Sequence, residues 1–332
     1  MASEKFNILI ANLKDDLKKI DEIILSYANG KSPLILEISN HLVSSGGKRI
    51  RPILLIIAAK LCGSKLSENI YNLAGAIELI HSATLLHDDV VDESQIRRGK
   101  KTANALWDNK PSILVGDYLF SISFQLMVLV GDLRVLDLLS KASSTMADGE
   151  VMQLESSSDI SISQEKYFEI IFGKTAVLFS CACEAAALIN NKSDKEVSAL
   201  REFGKNLGII FQIVDDILDY ESNTNILGKN VGNDFFEGKV TLPIILTYEK
   251  ANIEDRKLIA ELFEKNLIGD DRNHEELKII LTLMQKYQGI ESAKNLAKTY
   301  QEKAIQNLQV FDDCVERDNL ITILQYSLMR IS

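Results

Sequence analysis

Two short runs of aspartate carry the strongest chemical signal in this sequence. LLHDDVVDESQIRRGK holds Asp88, Asp89 and Asp92, and FQIVDDILDY holds Asp215, Asp216 and Asp219. Each reads DDxxD. On a helix, residues four apart share a face, so Asp88 stands over Asp92 and Asp215 over Asp219. Like charges at that spacing repel, and Mg²⁺ would remove the penalty, because it is held by one or two carboxylates together with substrate phosphates and water. Both runs sit late in apolar stretches, where acids without partners are costly. A third run, Asp312, Asp313 and Glu316, has similar spacing but is followed by Arg317 and Asp318 and reads as a surface patch. Spacing alone therefore does not make a site.

Basic segments interleave with the acids. GGKRIRP supplies Lys48, Arg49 and Arg51 after a glycine pair, and Arg97 and Arg98 follow the first aspartate run. FGKTA supplies Lys174 and Thr175, while Lys229 and Lys239 flank a glycine-rich loop after the second run. Guanidinium groups grip diphosphate oxygens bidentately, and lysines act as point charges. Each one alone is an ordinary surface cation. Together, in a chain of net charge −10, they point to one metal-and-diphosphate site. His81 lies two turns before Asp88. No nucleophile with a placed base is evident, and GGKRIRP lacks the spaced glycine of a Walker A loop, so the diphosphate is not expected to come from ATP.

The elements that position these residues read as helices. The four prolines are Pro33, Pro52, Pro111 and Pro243, with none between the last two. Leu73, Ile77, Ile80 and Thr84 form one helical stripe, and Phe203, Leu207, Ile210, Val214 and Ile217 another. There is no sustained period-2 alternation and no strand-flanked hairpin signal. Glycine and asparagine breakers cut the chain into helices, with no linker or repeat between domains, so residues 1–332 read as a single all-α domain. The apolar stretch from Ile113 to Val130 contains Asp117 and Gln125 and reads as a buried core helix rather than a membrane span. Acidic residues interrupt the N-terminal apolar run, so a signal peptide is not expected there. An acidic chain is a poor general nucleic-acid binder. Cys62, Cys181, Cys183 and Cys314 match no zinc spacing and read as reduced thiols, with cytoplasm the default location.

The ordered series GGKRIRP, HSATLLHDDVVDESQIRRG, GDYLFSISFQLM, DGEVMQLE, GKTA, FQIVDDILDY and LGKNVGNDFFEGKVTLP resembles the trans-isoprenyl diphosphate synthases, and among them the bacterial octaprenyl diphosphate synthases. The likeness is most specific from Gly46 to Pro243. It implies a single large helical bundle around a deep central cavity, a homodimer, and aspartate motifs facing each other across the cavity mouth around a three-ion Mg²⁺ cluster with substrate diphosphate. By the same likeness, Asp88, Asp89, Asp92, Asp215, Asp216 and Asp219 serve the metals. Lys48, Arg51, His81 and Arg98 bind isopentenyl diphosphate. Arg97, Lys174, Thr175, Gln212, Lys229 and Lys239 bind the allylic diphosphate, with Lys174 and Thr175 counted among the catalytic set. Ala83 and Thr84 form the chain-length wall; they are small, so a long product is expected, octaprenyl diphosphate for quinone side chains made from farnesyl diphosphate. The alternatives are a short-chain synthase, a class I terpene cyclase or a non-catalytic prenyl synthase subunit. Two departures from the family pattern are Lys101, where proline is usual, and Asn233, where aspartate is common.

Overall fold

Proline-free apolar stripes become helices in this molecule. The computed structural model describes residues 2–221, 231–266 and 273–331. The first stripe lies on the helix Glu68–Val91, where Leu73, Ile77 and Ile80 are completely buried. The second lies on Asp194–Glu221, where all five stripe residues are completely buried. At 1.5 Å per residue these helices run about 36 and about 42 Å. Burying each Leu, Ile or Phe side chain contributes roughly 1.5–3 kcal/mol, so the stripes, more than helix propensity, hold the rods in place. The prolines mark where helices start. Pro33, Pro52, Pro111 and Pro243 all fall within the first three residues of a helix, where the missing N–H has no intrahelical partner to lose.

The chain forms two compact units. One comprises Met1–Ser143, Leu178–Gly204 and Asn307–Ile323. Its centre is Glu68–Val91, packed against Ile50–Leu61 and Asn109–Val130. Ile53 to Ala59 of the Ile50–Leu61 helix are almost wholly shut off from solvent. The other unit comprises Ser144–Val177, Lys205–Gln306 and Leu324–Ser332. Phe235 and Phe263 meet edge to face in its core, with ring centroids 5.1 Å apart.

The all-α expectation holds. Among the described residues, strands are confined to a hairpin pairing Ile96–Arg97 with Lys100–Lys101. Period-2 alternation could not announce so short a hairpin. Its two central residues, Arg98 and Gly99, both have positive φ (53° and 75°), the signature of a type I′ turn. The helix Asn109–Val130 departs further from expectation. One face is buried through Val115, Leu119, Ile122 and Leu126, but Leu114 and Val128 on the other remain 67% and 66% exposed. It is half core and half apolar surface. The other long apolar helix, Gln164–Ile189, is mostly buried, as a core helix should be. All four cysteines are free; Cys62, Cys181 and Cys183 are buried, and burial pushes the Cys62 thiol up to about 11.

Candidate active site

The first aspartate run closes the helix Glu68–Val91. Asp92 is its C-terminal cap, with its N–H on the Asp88 carbonyl at 2.8 Å. Carboxylates there meet the negative end of the helix dipole, and no basic residue occupies the last turn to offset it. Asp88 and Asp92 are half-buried on one face. Asp89 points the other way and its side chain is 5% exposed. Burial pushes its pKa up, and Arg97, donating from Nε to Oδ1 at 2.7 Å, works against that push. Asn104 donates from Nδ2 to the Asp89 carbonyl at 3.0 Å and ties the motif to the next helix.

The hairpin after the motif is latched to the glycine pair. The Arg98 guanidinium donates to the Gly46 carbonyl, Lys100 Nζ to the Ser44 carbonyl at 2.8 Å, and His41 Nε2 contacts the Lys101 carbonyl at 2.9 Å. A Cβ on Gly47 would stand 2.6 Å from Arg98 Nη1, so glycine is what lets the guanidinium lie across the loop. This gathers cations around His81. Burial, then Arg51, Arg98, Arg97 and Arg49 in turn, hold the imidazole pKa well below its ordinary value, so the ring is neutral at pH 7. Arg51 lies over the Phe179 ring at 4.5 Å, and its Nε is buried without a hydrogen-bond partner. Burial pulls its pKa down to about 10, and Arg98 adds to this against the pull of Glu78. A cluster of guanidinium groups around a neutral ring has a strong electrostatic demand for an anion. Lys48 is exposed beside it. Of the wall residues, Ala83 is buried, and Thr84 is half-buried with its hydroxyl donating to the His81 carbonyl at 2.8 Å.

The second run lies at the C-terminal end of Asp194–Glu221, again at the negative end of a helix. Asp215 is half-exposed, with Arg330 Nη2 3.6 Å away. Asp219 accepts from the Asp234 N–H at 3.0 Å. Asp216 faces inward and is buried. It accepts from the Tyr167 hydroxyl at 2.6 Å and from Gln212 Nε2 at 2.8 Å, while Gln212 Oε1 accepts from the Thr175 hydroxyl at 2.7 Å. Burial pushes the Asp216 carboxyl up despite the bonds from Tyr167 and Gln212, and the charges of Asp215 and Asp219 push the same way. Asp216, Tyr167 and Gln212 line a small cavity of about 30 Å³ together with Lys174 and Lys239, room for one or two waters.

Lys174 and Thr175 sit in a π-helical turn, Phe172–Ala176, inside the long Gln164–Ile189 helix. Such turns often mark functional positions. A close helix crossing accompanies it. A Cβ on Gly149 would stand 2.6 Å from the Lys174 amide nitrogen, and one on Gly173 would stand 2.9 Å from the Gly149 Cα. Lys174 Nζ is held 2.7 Å from Glu150 Oε2 and 2.6 Å from Gln153 Oε1. Lys239 Nζ lies 2.8 Å from Glu237. Lys229 lies outside the described residues.

Sequence reasoning missed Tyr167, Glu150, Gln153 and Asn104. Tyr167 was within reach, for it stands seven residues before Lys174, two helical turns away on the same face. Asp313 of the comparison run is 91% exposed and pairs with Arg317 at 2.6 Å, the surface patch its context suggested. All six motif positions are oxygen donors of the kind that suits Mg²⁺. Among the described residues no three acidic, histidine or cysteine side chains converge as a closed cage; an ion shared with substrate phosphates needs none.

Residues 32–284 match the family described as Polyprenyl synthetase. The chain is 39% identical to octaprenyl diphosphate synthase of Haemophilus influenzae, across 95% of this chain and 94% of that one. It is 38% identical to the Escherichia coli octaprenyl diphosphate synthase, over 99% of both. The solved structure of a decaprenyl diphosphate synthase from Rhodobacter capsulatus superimposes with a TM-score of 0.93 at 40% identity, covering 98% and 99% of the two chains. A Caulobacter crescentus polyprenyl synthase complexed with calcium and isoprenyl diphosphate gives a TM-score of 0.90 at 36% identity, with 97% of each chain covered.

Proposed function

From the premise that this chain belongs to the polyprenyl synthetase family, we propose that it is a long-chain trans-polyprenyl diphosphate synthase. It is a prenyltransferase that condenses isopentenyl diphosphate head to tail onto an allylic diphosphate. The observation that carries this reading is the full-length kinship to synthases of eight- and ten-unit products. Octaprenyl diphosphate, used for quinone side chains, is the product we assign, with farnesyl diphosphate as primer.

In this reading Asp88, Asp89, Asp92, Asp215, Asp216 and Asp219 serve Mg²⁺. The outward first and last members of each run would hold the ion together with substrate phosphates, some of them through water, and the inward middle members would keep the runs in place. Mg²⁺ bound with the diphosphate supplies the charge neutralisation that lets the allylic C–O bond ionise. Lys174, Thr175, Gln212, Arg97, Lys229 and Lys239 grip the allylic diphosphate and stabilise it as it leaves. Lys48, Arg51, His81 and Arg98 orient isopentenyl diphosphate so that its double bond meets the allylic cation. Neutral His81 donates a hydrogen bond without adding charge. The released diphosphate takes the proton, so no protein base is required. Ala83 and Thr84 leave the growing chain room.

The reading extends to a homodimer in the cytoplasm. Free cysteines suit a reducing compartment. The exposed Leu114, Val128 and Leu129 on Asn109–Val130 form the kind of apolar face that a second copy covers. Light scattering of Leu114→Asp/Val128→Asp should report monomers.

The direct test is incubation with labelled isopentenyl diphosphate, farnesyl diphosphate and Mg²⁺, followed by dephosphorylation and sizing. One dominant long polyprenol is expected, and Ala83→Phe should shorten it. Products of three or four units, or cyclic hydrocarbons from the allylic substrate alone, would overturn the long-chain reading.

A further inference from the structure

Arg49 stands between Lys48 and Arg51 in GGKRIRP, and its type alone would add it to the diphosphate-binding cations. Its geometry points elsewhere. Nη1 donates to Glu78 Oε1 at 2.7 Å, Nη2 lies 3.1 Å from Asp21 Oδ1, and Nη2 also reaches the Val43 carbonyl at 3.4 Å. The Arg49 side chain is 11% exposed and that of Glu78 6%. The three partners come from three helices: Lys14–Tyr27, Pro33–Ser44 and Glu68–Val91. A guanidinium so fully engaged has little left to offer a ligand.

The backbone at Arg49 is left-handed, with φ of 48°. A residue with a Cβ occupies that region at a steric cost and stays there only when its surroundings over-determine it. The buried triad supplies that constraint. Arg49 occupies the N-cap position of Ile50–Leu61, next to Lys48 and separated from Arg51 only by Ile50, so its conformation sets the directions in which both cations leave the chain. Glu78 is one turn before His81 on the same helix, and its charge also acts on Arg51. Asp21 adds a longer connection. Its helix precedes the region matched to the family, which begins at residue 32. That helix is seated by Ile20 and Ile24, by Tyr71 donating to Asp16 Oδ1 at 2.6 Å, and by Lys60 at 3.5 Å from Asp16.

We propose that Arg49 is a positioning residue for the isopentenyl diphosphate subsite, and that Asp21 makes the Lys14–Tyr27 helix a brace for that subsite. This rests on the assignment of Lys48, Arg51, His81 and Arg98 to isopentenyl diphosphate made above. The plain rival is an ion triad that contributes only to stability.

The test compares Asp21→Asn, Glu78→Gln and Arg49→Lys with the parent enzyme, varying each substrate in turn and recording melting temperature. Asp21→Asn should raise KM for isopentenyl diphosphate about tenfold, with KM for the allylic substrate changed less than about twofold, since misplacement by an ångström or less costs that order of effect. Arg49→Lys, which loses the fork, should do more, and Asp21→Glu should restore most of the parent value. Lys48→Ala separates the two ideas. If it leaves KM for isopentenyl diphosphate unchanged, the subsite assignment fails. If it raises that KM while Asp21→Asn and Arg49→Lys change both KM values equally, or lower only the melting temperature, the positioning role alone is overturned. Asp21→Asn is mild enough to report should Arg49→Lys not fold.

Discussion

In the Asp88–Asp92 run the buried middle carboxylate meets a cation, Arg97; in the Asp215–Asp219 run it meets the neutral donors Tyr167 and Gln212. The spacing is identical, and so is the disposition on the helix, with first and last members outward and the middle one inward. What differs is the compensation for burial. A guanidinium favours the ionised form through charge as well as through a hydrogen bond, whereas a phenol and an amide supply hydrogen bonds alone. Helical spacing determines which face a carboxylate takes and leaves open what awaits it there.

The sharpest break should come from the outward members. Asp88→Ala or Asp215→Ala should each cut turnover by roughly a thousandfold or more, about 4 kcal/mol of transition-state stabilisation, with an unchanged far-ultraviolet circular dichroism spectrum. Near-normal activity in either would remove that run from the metal site. The inward members test the comparison itself. Arg97→Gln should lower unfolding free energy at neutral pH by about 2 kcal/mol and Tyr167→Phe by about 1 kcal/mol, read by urea titration. The Arg97→Gln loss should shrink on acidification. Asp89 has a raised pKa in the folded protein, so the cost of its buried charge is present above that pKa and relieved as it takes up a proton. A pH-independent loss would show that Arg97 acts by packing alone.

His81 offers a smaller and oppositely signed effect. Its folded pKa lies below 6.5, so between the two values the unfolded chain binds the proton that the native ring refuses, and stability falls as pH falls through that window. His81→Gln should remove up to about 1 kcal/mol of this loss per pH unit, seen as a flatter melting-temperature profile below pH 6.5. The smallest effect belongs to the exposed comparison run. Asp313→Ala should change neither turnover nor melting temperature measurably.

Much of this was legible in the sequence. Completely buried stripe residues such as Leu73 and Phe203 carry their helical period openly, and the aspartates and lysines announce their chemistry by type. The partners were not legible. That Arg97 turns to Asp89, or Tyr167 to Asp216, depends on contacts 8 and 49 residues apart that no local period encodes. The hairpin at Arg98–Gly99 is too short for alternation to register. Arg49 shows the limit of residue type, because its neighbours in sequence share its charge while its contacts in space give it a different task. The exposed face of Asn109–Val130 escaped because hydropathy reports composition and is silent about which side is covered.

The π turn at Phe172–Ala176 gives the long Gln164–Ile189 helix a tolerance that its other turns lack. A π turn carries one residue more than the α turn it replaces. Losing a residue there could be absorbed by reversion to the tighter winding, leaving Tyr167 and Ile170 on one side and Leu178 and Phe179 on the other in their present orientations. The same loss one turn away would swing every later side chain by about 100° and drive the buried face into solvent. The helix therefore has one place where its length can be edited without re-aiming its ends, and that place holds Lys174 and Thr175.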